Sequence, residues 1–367
     1  MDPFSLFKNT TDFLLFEPDQ VIFHEGQIGD EMFLILEGEL QISVEGHPLD
    51  LLSAGNIVGE MALIDEGARS ATGTAVSHCK LLPINRTRFA KLVKQHPEFA
   101  LHVMSIMSNR LRRLIEVEAK RQRLEEEMKI GRDIQLSLLP KQVPTAPGWA
   151  FAAYYQAARQ VGGDLYDFIQ SPHDPYRLNL VIADVTGKGV PAALFMASVR
   201  SVIRAISLND RPPADTLHRT NRFIVQDVGS LLFTSAFYAS LQTDTGQLSY
   251  ANAGHEWPLW WRQQTQTVTQ LKVPGMLLGA FDEIHPMQQE VTVAPDDVLV
   301  FFTDGVTEAH NAEKAMFDDE RLQQTLAKIA HLSASDIVDG IVTAVSNFTA
   351  NTPQSDDLTL IVVKRTK

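Results

Sequence analysis

The sequence predicts an α+β protein in three parts: a small antiparallel barrel or roll, a long helix, and a strand-rich sandwich flanked by helices. Three observations carry this. Between about Phe13 and Pro83, short apolar runs alternate with glycines at turn spacing. From Glu98 to Ile130 there is neither glycine nor proline. From Gly148 onward, strand-like apolar runs alternate with helical ones.

In the roll, residues 21–23, 32–36 and 40–44 read as strands, punctuated by Gly26, Gly29, Gly38, Gly46 and Gly55. In the helix, Met104, Met107, Leu111 and Leu114 recur at three- and four-residue spacing, which predicts an apolar stripe packed on the roll. Beyond Ile115 the pattern turns polar and only Leu124 and Met128 keep a thin seam. A helix this polar is unstable alone, so a parallel homodimer through it is expected. Pro140 and Pro144 end the helix, and Ile130, Ile134 and Leu138 are expected to dock on the sandwich. In the sandwich, residues 178–183, 235–241, 298–302 and 358–363 read as strands, and 192–206, 214–226 and 321–329 as helices. The expected divisions are 1–96, 97–139 and 140–367.

Bulk properties narrow the function. A chain of 367 residues holds two or three domains, and 44% hydrophobic with 21% charged residues is ordinary for a globular protein. The net charge of −13 argues against nucleic acid as the main partner and fits a protein that collects divalent cations. Cys79 is the single cysteine, so a reducing, cytoplasmic setting is expected. No signal peptide and no apolar run of membrane-spanning length is read, so no membrane partner is expected.

Four aspartate motifs follow or flank apolar runs: Gly162-Gly163-Asp164-Leu165-Tyr166-Asp167, Asp184-Val185-Thr186-Gly187-Lys188-Gly189, Thr303-Asp304-Gly305-Val306-Thr307-Glu308-Ala309 and Ser355-Asp356-Asp357-Leu358-Thr359. One such motif alone is an ordinary turn. Four carboxylates at strand ends would repel one another unless cations lay between them, and hard oxygen ligands suit Mg²⁺ or Mn²⁺. Two such ions can activate a water for attack on a phosphoryl group. No His/Cys pair has zinc spacing.

These motifs, the segment Ile-Gly-Arg-Asp-Ile-Gln-Leu-Ser-Leu-Leu-Pro at 130–140, Tyr-Ala-Asn-Ala-Gly-His at 250–255 and the pair Leu278-Gly279 give the region from about 126 to 367 its likeness. It resembles the SpoIIE/RsbU branch of the PPM metal-dependent phosphatases. The resemblance implies an αββα sandwich with two Mn²⁺ or Mg²⁺ ions, ligated by Asp164, Asp184 with the Val185 carbonyl, Asp304 and the Asp356/Asp357 pair. The family's Asp-Asn-hydrophobic-Thr pattern favours Asp356 of that pair. The implied activity is a phosphoserine/phosphothreonine protein phosphatase acting on a STAS-domain anti-anti-sigma-type protein. Many eukaryotic PPM enzymes have a histidine, a proposed general acid, where this chain has Thr186, so the leaving group would take its proton from solvent or another residue. Arg159, five residues before Asp164, matches the spacing of a phosphate-binding arginine and equally fits a solvated surface arginine. For His255 the reading is turn stabilisation rather than catalysis.

In the roll, Gly59-Glu60-Met61-Ala62-Leu63 precedes Arg69-Ser70-Ala71. Backbone N–H groups opening a short helix and a guanidinium suit an anion, and a carboxylate suits a sugar hydroxyl. This spacing, with Glu25-Gly26-Gln27-Ile28-Gly29-Asp30 and Leu36-Glu37-Gly38, resembles the cyclic-nucleotide-binding family over about 13–114. The resemblance implies that Glu60 binds ribose and that Arg69 and Ser70 bind phosphate, with Gly59, Met61, Ala62 and Ala71 completing the pocket. The following helix would close over the base. Leu114 and Ile115 stand where related activators have a base-contacting threonine, which removes that hydrogen bond. Ser70 after the arginine resembles the cyclic-AMP-responsive activators, a resemblance that favours cyclic AMP over cyclic GMP. Two alternatives stand beside a regulated enzyme: a sensing scaffold with a vestigial phosphatase fold, and a phosphatase whose N-terminal domain binds no ligand.

Overall fold

The computed structural model describes residues 7, 11–64, 67–228, 232–350 and 352–366. The chain divides into two compact units, Met1–Arg123 and Leu124–Lys367.

The first unit holds β1 (Leu14–Phe16), β2 (Val21–Phe23), β3 (Glu31–Glu37), β4 (Glu39–Val44), β5 (His47–Ser53), β6 (Ile57–Val58), α1 (Met61–Ile64), β7 (Thr72–Ala75), β8 (Cys79–Asn85) and α2 (Arg86–Gln95). They form two four-stranded antiparallel sheets, β1-β8-β3-β6 and β2-β7-β4-β5. The two-residue period of β3 explains its place at the centre. Phe33 and Ile35 enter the core with Phe23, Leu40 and Leu81, while Met32 and Leu34 face a second cluster that includes Phe99 and Val103. Cys79 is buried, its thiol donating to the Glu39 carbonyl.

α3 (Pro97–Leu138) runs unbroken for 42 residues, beginning at a proline, which costs nothing at the first helical position. Its phase on the roll differs from the expected stripe. Phe99 is fully buried, edge-on to Phe7 and Phe89, and Val103, Ile106 and Met107 continue that face. Met104 and Leu111 are exposed, and of the expected stripe only Met107 packs on this cluster. The Phe99 ring sets the rotation, and a period of 3.6 then carries the face through 103, 106 and 107.

The second unit contains β9 (Trp149–Gln156), β10 (Leu165–Gln170), β11 (Arg177–Val185), α4 (Val190–Ser207), α5 (Pro213–Val228), β12 (Thr234–Gln242), β13 (Gln247–Ala253), β14 (Leu259–Arg262) and β15 (Thr267–Gln270). It continues with β16 (Gln288–Thr292), β17 (Val298–Phe302), α6 (Asp304–Thr307), α7 (Asp318–Ile329), α8 (Ala334–Thr349) and β18 (Leu358–Arg365). Two five-stranded antiparallel sheets, β10-β11-β12-β13-β16 and β15-β14-β17-β18-β9, face each other across a core that includes Phe237, Tyr250, Phe301 and Ile361. α4 and α5 cover the first sheet, and α7 and α8 the second, giving the αββα layering.

Two expectations are corrected here. α4 is long and apolar enough, with a mean hydropathy of 1.4, to cross a membrane by composition alone. It instead buries Phe195, Met196, Val199 and Ile203 in the sandwich. At the end of α3, Ile130 and Ile134 are each 60% exposed rather than docked, and Leu138 is half-buried. The docking residues are Gln135 and Leu139, both 5% exposed. Leu139 enters the main core, and Gln135 lies one turn back on the same face, which turns 130 and 134 outward.

Strand register brings the aspartate motifs together. Leu165 of β10 pairs with Ala183 of β11, so Asp164 and Asp184 lie at the same edge. Phe302 pairs with Leu360, which sets Asp304 beside the residues entering β18.

Candidate functional site

Asp164 is buried immediately before β10, and its Oδ2 accepts hydrogen bonds from Thr303 and Thr359. Burial, then the charges of Asp184 and Asp357, raise its pKa well above the usual carboxylate range, against the pull of the two threonines. Asp184, opposite Ser235 near the end of β11, is pushed up to about 7 by burial, then by Asp304, while a hydrogen bond with Asp164 opposes. Asp304, at the start of α6, is pushed up to about 6 by burial, then by Glu308 and Asp356, with the Gly305 N–H and Lys188 opposing.

The Asp356/Asp357 pair divides its work. Asp357 is buried and spends its oxygens on backbone: Oδ1 accepts from Ala158 N–H at 2.8 Å, and Oδ2 from Gly163 N–H at 2.6 Å. Asp356 is partly exposed and pairs with Lys188 Nζ at 2.7 Å, while Lys188 also donates to the Ser355 carbonyl. The glycines permit these approaches. A Cβ on Gly163 would stand 2.8 Å from the Val185 carbonyl oxygen, and one on Gly305 only 1.8 Å from that of Asp357. Arg159 is exposed. Thr186 hydrogen-bonds both the N–H and the carbonyl of Phe233, so its hydroxyl serves the backbone. Asp167, three residues beyond Asp164, is buried in ion pairs with Arg200 and Arg204 of α4. Among the described residues, no three of His, Cys, Asp and Glu close into one metal-binding group.

His255 pins the two sheets together beneath this edge. Its Nε2 lies 3.1 Å from the Phe302 carbonyl, which can only accept, so the proton sits on Nε2. Nδ1 then accepts from Ser235 Oγ at 2.7 Å. The pin thus joins the β12 residue opposite Asp184 to the residue two before Asp304. Asn252 closes the turn by accepting from His255 N–H.

In the first unit, a cavity of about 540 Å³ is lined by Gly59, Glu60, Met61, Arg69, Ser70 and Ala71, among others, a size that suits a small organic ligand. The Ala62 side chain lies outside the described residues. Arg69 is buried against the Phe23 ring, donating to the carbonyls of Gly59 at 2.9 Å and Glu31 at 2.7 Å. Glu60 pairs at 3.1 Å with Arg110 of α3, which the sequence reading did not single out. Ser70 and Met61 are exposed, Ala71 is half-buried, and Leu114 lines the mouth with Arg113 and Val117.

The family described as stage II sporulation protein E (SpoIIE) matches residues 174–366, more than half of the chain. Over 244 residues the chain is 31% identical to the phosphoserine phosphatase RsbU of Bacillus subtilis, spanning 66% of this chain and 71% of that protein. The chain belongs to the SpoIIE family. Asp184, Asp304, Asp356 and Asp357 lie inside the SpoIIE match, and Asp164 and Arg159 just before it. The cyclic nucleotide-binding domain family matches residues 13–96. Protein IcfG of Synechocystis is 32% identical over 288 residues, 71% of this chain but only 44% of that protein. The PP2C domain of SiaA from Pseudomonas aeruginosa shares the fold, with a TM-score of 0.60 at 21% identity over 68% of this chain and 99% of that one.

The His255 pin has a pH signature. Burial lowers its pKa from 6.5 to about 4, so the unfolded chain binds more protons across that window. Stability should therefore fall on acidification from pH 6.5 to 4, by roughly 3 kcal/mol from this group alone. Unfolding free energies from urea melts of the wild type and His255→Gln across that range should differ in pH slope by up to one proton. Parallel profiles would show that the imidazole is not buried neutral.

Proposed function

We propose that this SpoIIE-family protein is a metal-dependent protein serine/threonine phosphatase governed by a cyclic nucleotide in its N-terminal roll. The observation that carries the reading is the cluster of carboxylates that raise one another's pKa at one edge of the sandwich. The donors of this set are all oxygen, which suits Mn²⁺ or Mg²⁺. The absence of a tight three-residue group among the described residues is compatible with Mg²⁺, which keeps several waters and takes one or two carboxylates.

Asp164, Asp184 with the Val185 carbonyl, Asp304 and Asp356 would hold two ions, which when bound supply an activated water and a polarised phosphoryl group. Asp357, its oxygens committed to Ala158 and Gly163, braces the loop. Thr303 and Thr359 orient Asp164, and Lys188 holds Asp356. Arg159 grips the substrate phosphate. With Thr186 engaged by Phe233, the leaving hydroxyl takes its proton from solvent or from another residue. The substrate is a phosphoserine or phosphothreonine on a STAS-domain regulator; the likeness to the phosphoserine phosphatase RsbU supports the phosphoserine part of that reading.

In the roll, Arg69 and Ser70 bind the phosphate and Glu60 the ribose, with cyclic AMP preferred to cyclic GMP. Arg69 has five N–H donors, of which the Gly59 and Glu31 carbonyls take one each. The α3 seam at Leu124, 52% exposed, and Met128 pairs with a second copy in a parallel homodimer. The setting is cytoplasmic.

Hydrolysis of a phosphopeptide should require Mn²⁺ or Mg²⁺ and fall to background in Asp184→Asn, in Asp304→Asn and in excess chelator. Full turnover in any of these would refute the metal mechanism, and a folded wild type that binds Mn²⁺ without turnover would make the chain a sensing scaffold.

Calorimetry with cyclic AMP should show binding that weakens by one to two decades in Arg69→Ala, the loss of a charge-assisted hydrogen bond worth about 1.5–3 kcal/mol. No heat with either cyclic nucleotide would leave the roll as an interaction module.

Light scattering of the full chain at micromolar concentration should give a dimer, and Leu124→Glu with Met128→Glu a monomer. A monomeric wild type would remove the seam from the scheme.

A further inference from the structure

The Gly162-Gly163 pair that precedes Asp164 is clamped from both sides. On one side is Gln135, near the end of α3 and 5% exposed. Its Nε2 donates to the Gly162 carbonyl at 2.6 Å, and its Oε1 accepts from the Gly162 N–H at 3.1 Å. One side-chain amide thus satisfies both peptide groups of one residue, as a neighbouring strand would. On the other side, Asp357 Oδ2 accepts from Gly163 N–H at 2.6 Å. The fit leaves no slack: a Cβ on Gly162 would stand 2.3 Å from Asp357 Oδ2 and 2.6 Å from the Tyr155 hydroxyl.

The next residues are Gly163, against the Val185 carbonyl, and Asp164. The clamp therefore fixes the backbone from which a candidate ligand carboxylate and its neighbouring carbonyl are presented. We propose that Gln135 is a positioning residue for the metal centre, through which the last turns of α3 set the place of the 162–164 backbone. This rests on the metal-centre reading above. α3 is one continuous helix, so a rotation or an axial shift at its C-terminal end moves the Gln135 amide and Gly162 with it. A shift of one residue along a helix is about 1.5 Å, far outside the tolerance of Mg²⁺ coordination. Leu139, one turn on, is buried in the core without contacting Gly162 by a hydrogen bond and serves as the anchor that keeps the turn in place.

The test uses the full chain and two readouts, Mn²⁺ titration followed by electron paramagnetic resonance and thermal melting in chelator. Gln135→Met keeps the side-chain length but neither donates nor accepts in this way. It should weaken Mn²⁺ binding on the order of 10–100-fold, as removal of a residue supporting a metal ligand does. Hydrolysis should recover at saturating Mn²⁺. Gln135→Glu, which keeps the acceptor for the Gly162 N–H, should fall between the wild type and Gln135→Met. Leu248→Ala, in the same core but at the end of the sheet away from Leu165, should lower the melting temperature while its folded form keeps wild-type Mn²⁺ affinity. If Gln135→Met does not fold, Gln135→Asn, too short to reach both peptide groups, carries the same expectation. Wild-type Mn²⁺ affinity in the Gln135 variants, or an equal loss in Leu248→Ala, overturns the positioning role and leaves the metal centre standing. A wild type that binds no Mn²⁺ overturns the metal centre itself.

Discussion

Like-charge repulsion is the constraint around which the second unit is built. Asp164, Asp184 and Asp304 each have a pKa pushed upward, first by burial and then by neighbouring carboxylates. No side chain chooses such company; the sandwich imposes it. The pairing of β10 with β11 and of β17 with β18 fixes the edge, and the His255 pin ties the two sheets where the charges meet. The free energy that holds the carboxylates together comes from the apolar core between the sheets, remote from the charges themselves.

The charged residues of this edge were legible because each flanks an apolar run, and a carboxylate beside a strand is visible in a single sequence. Their supports were not. Thr303, Thr359, Gln135 and Lys188 are common residue types, and nothing in their spacing distinguishes a side chain that orients Asp164 from one that faces water. Asp167 shows the converse. It shares a motif with Asp164, yet strand alternation and two arginines of α4 commit it to the helix–sheet interface.

The layers of the fold were readable, while rotations were not. The long helix is evident from its lack of glycine and proline, but its buried face is not, because both ends are phased by single anchors, Phe99 and Leu139. α8 is hard to read from sequence because β-branched residues and Gly340 dilute its helical pattern. A Cβ there would stand 2.7 Å from the Cδ1 tip of Ile329 of α7, a side chain that can turn aside. Arg110 carries no sequence signal because its partner Glu60 lies fifty residues upstream, beyond any local pattern.

The glycines of the acidic edge bear on how related chains should be judged. Aspartate can be exchanged for asparagine or glutamate with little change of volume, so a chain may lose its charge yet keep its shape. Gly305 allows no such drift, since the Asp357 carbonyl oxygen occupies the place of any side chain, even a methyl group. A relative with all its aspartates but alanine at that position would have its α6 turn and its β18 lead-in forced apart. Degenerate members of the family would then be recognised first by what has been added at a glycine.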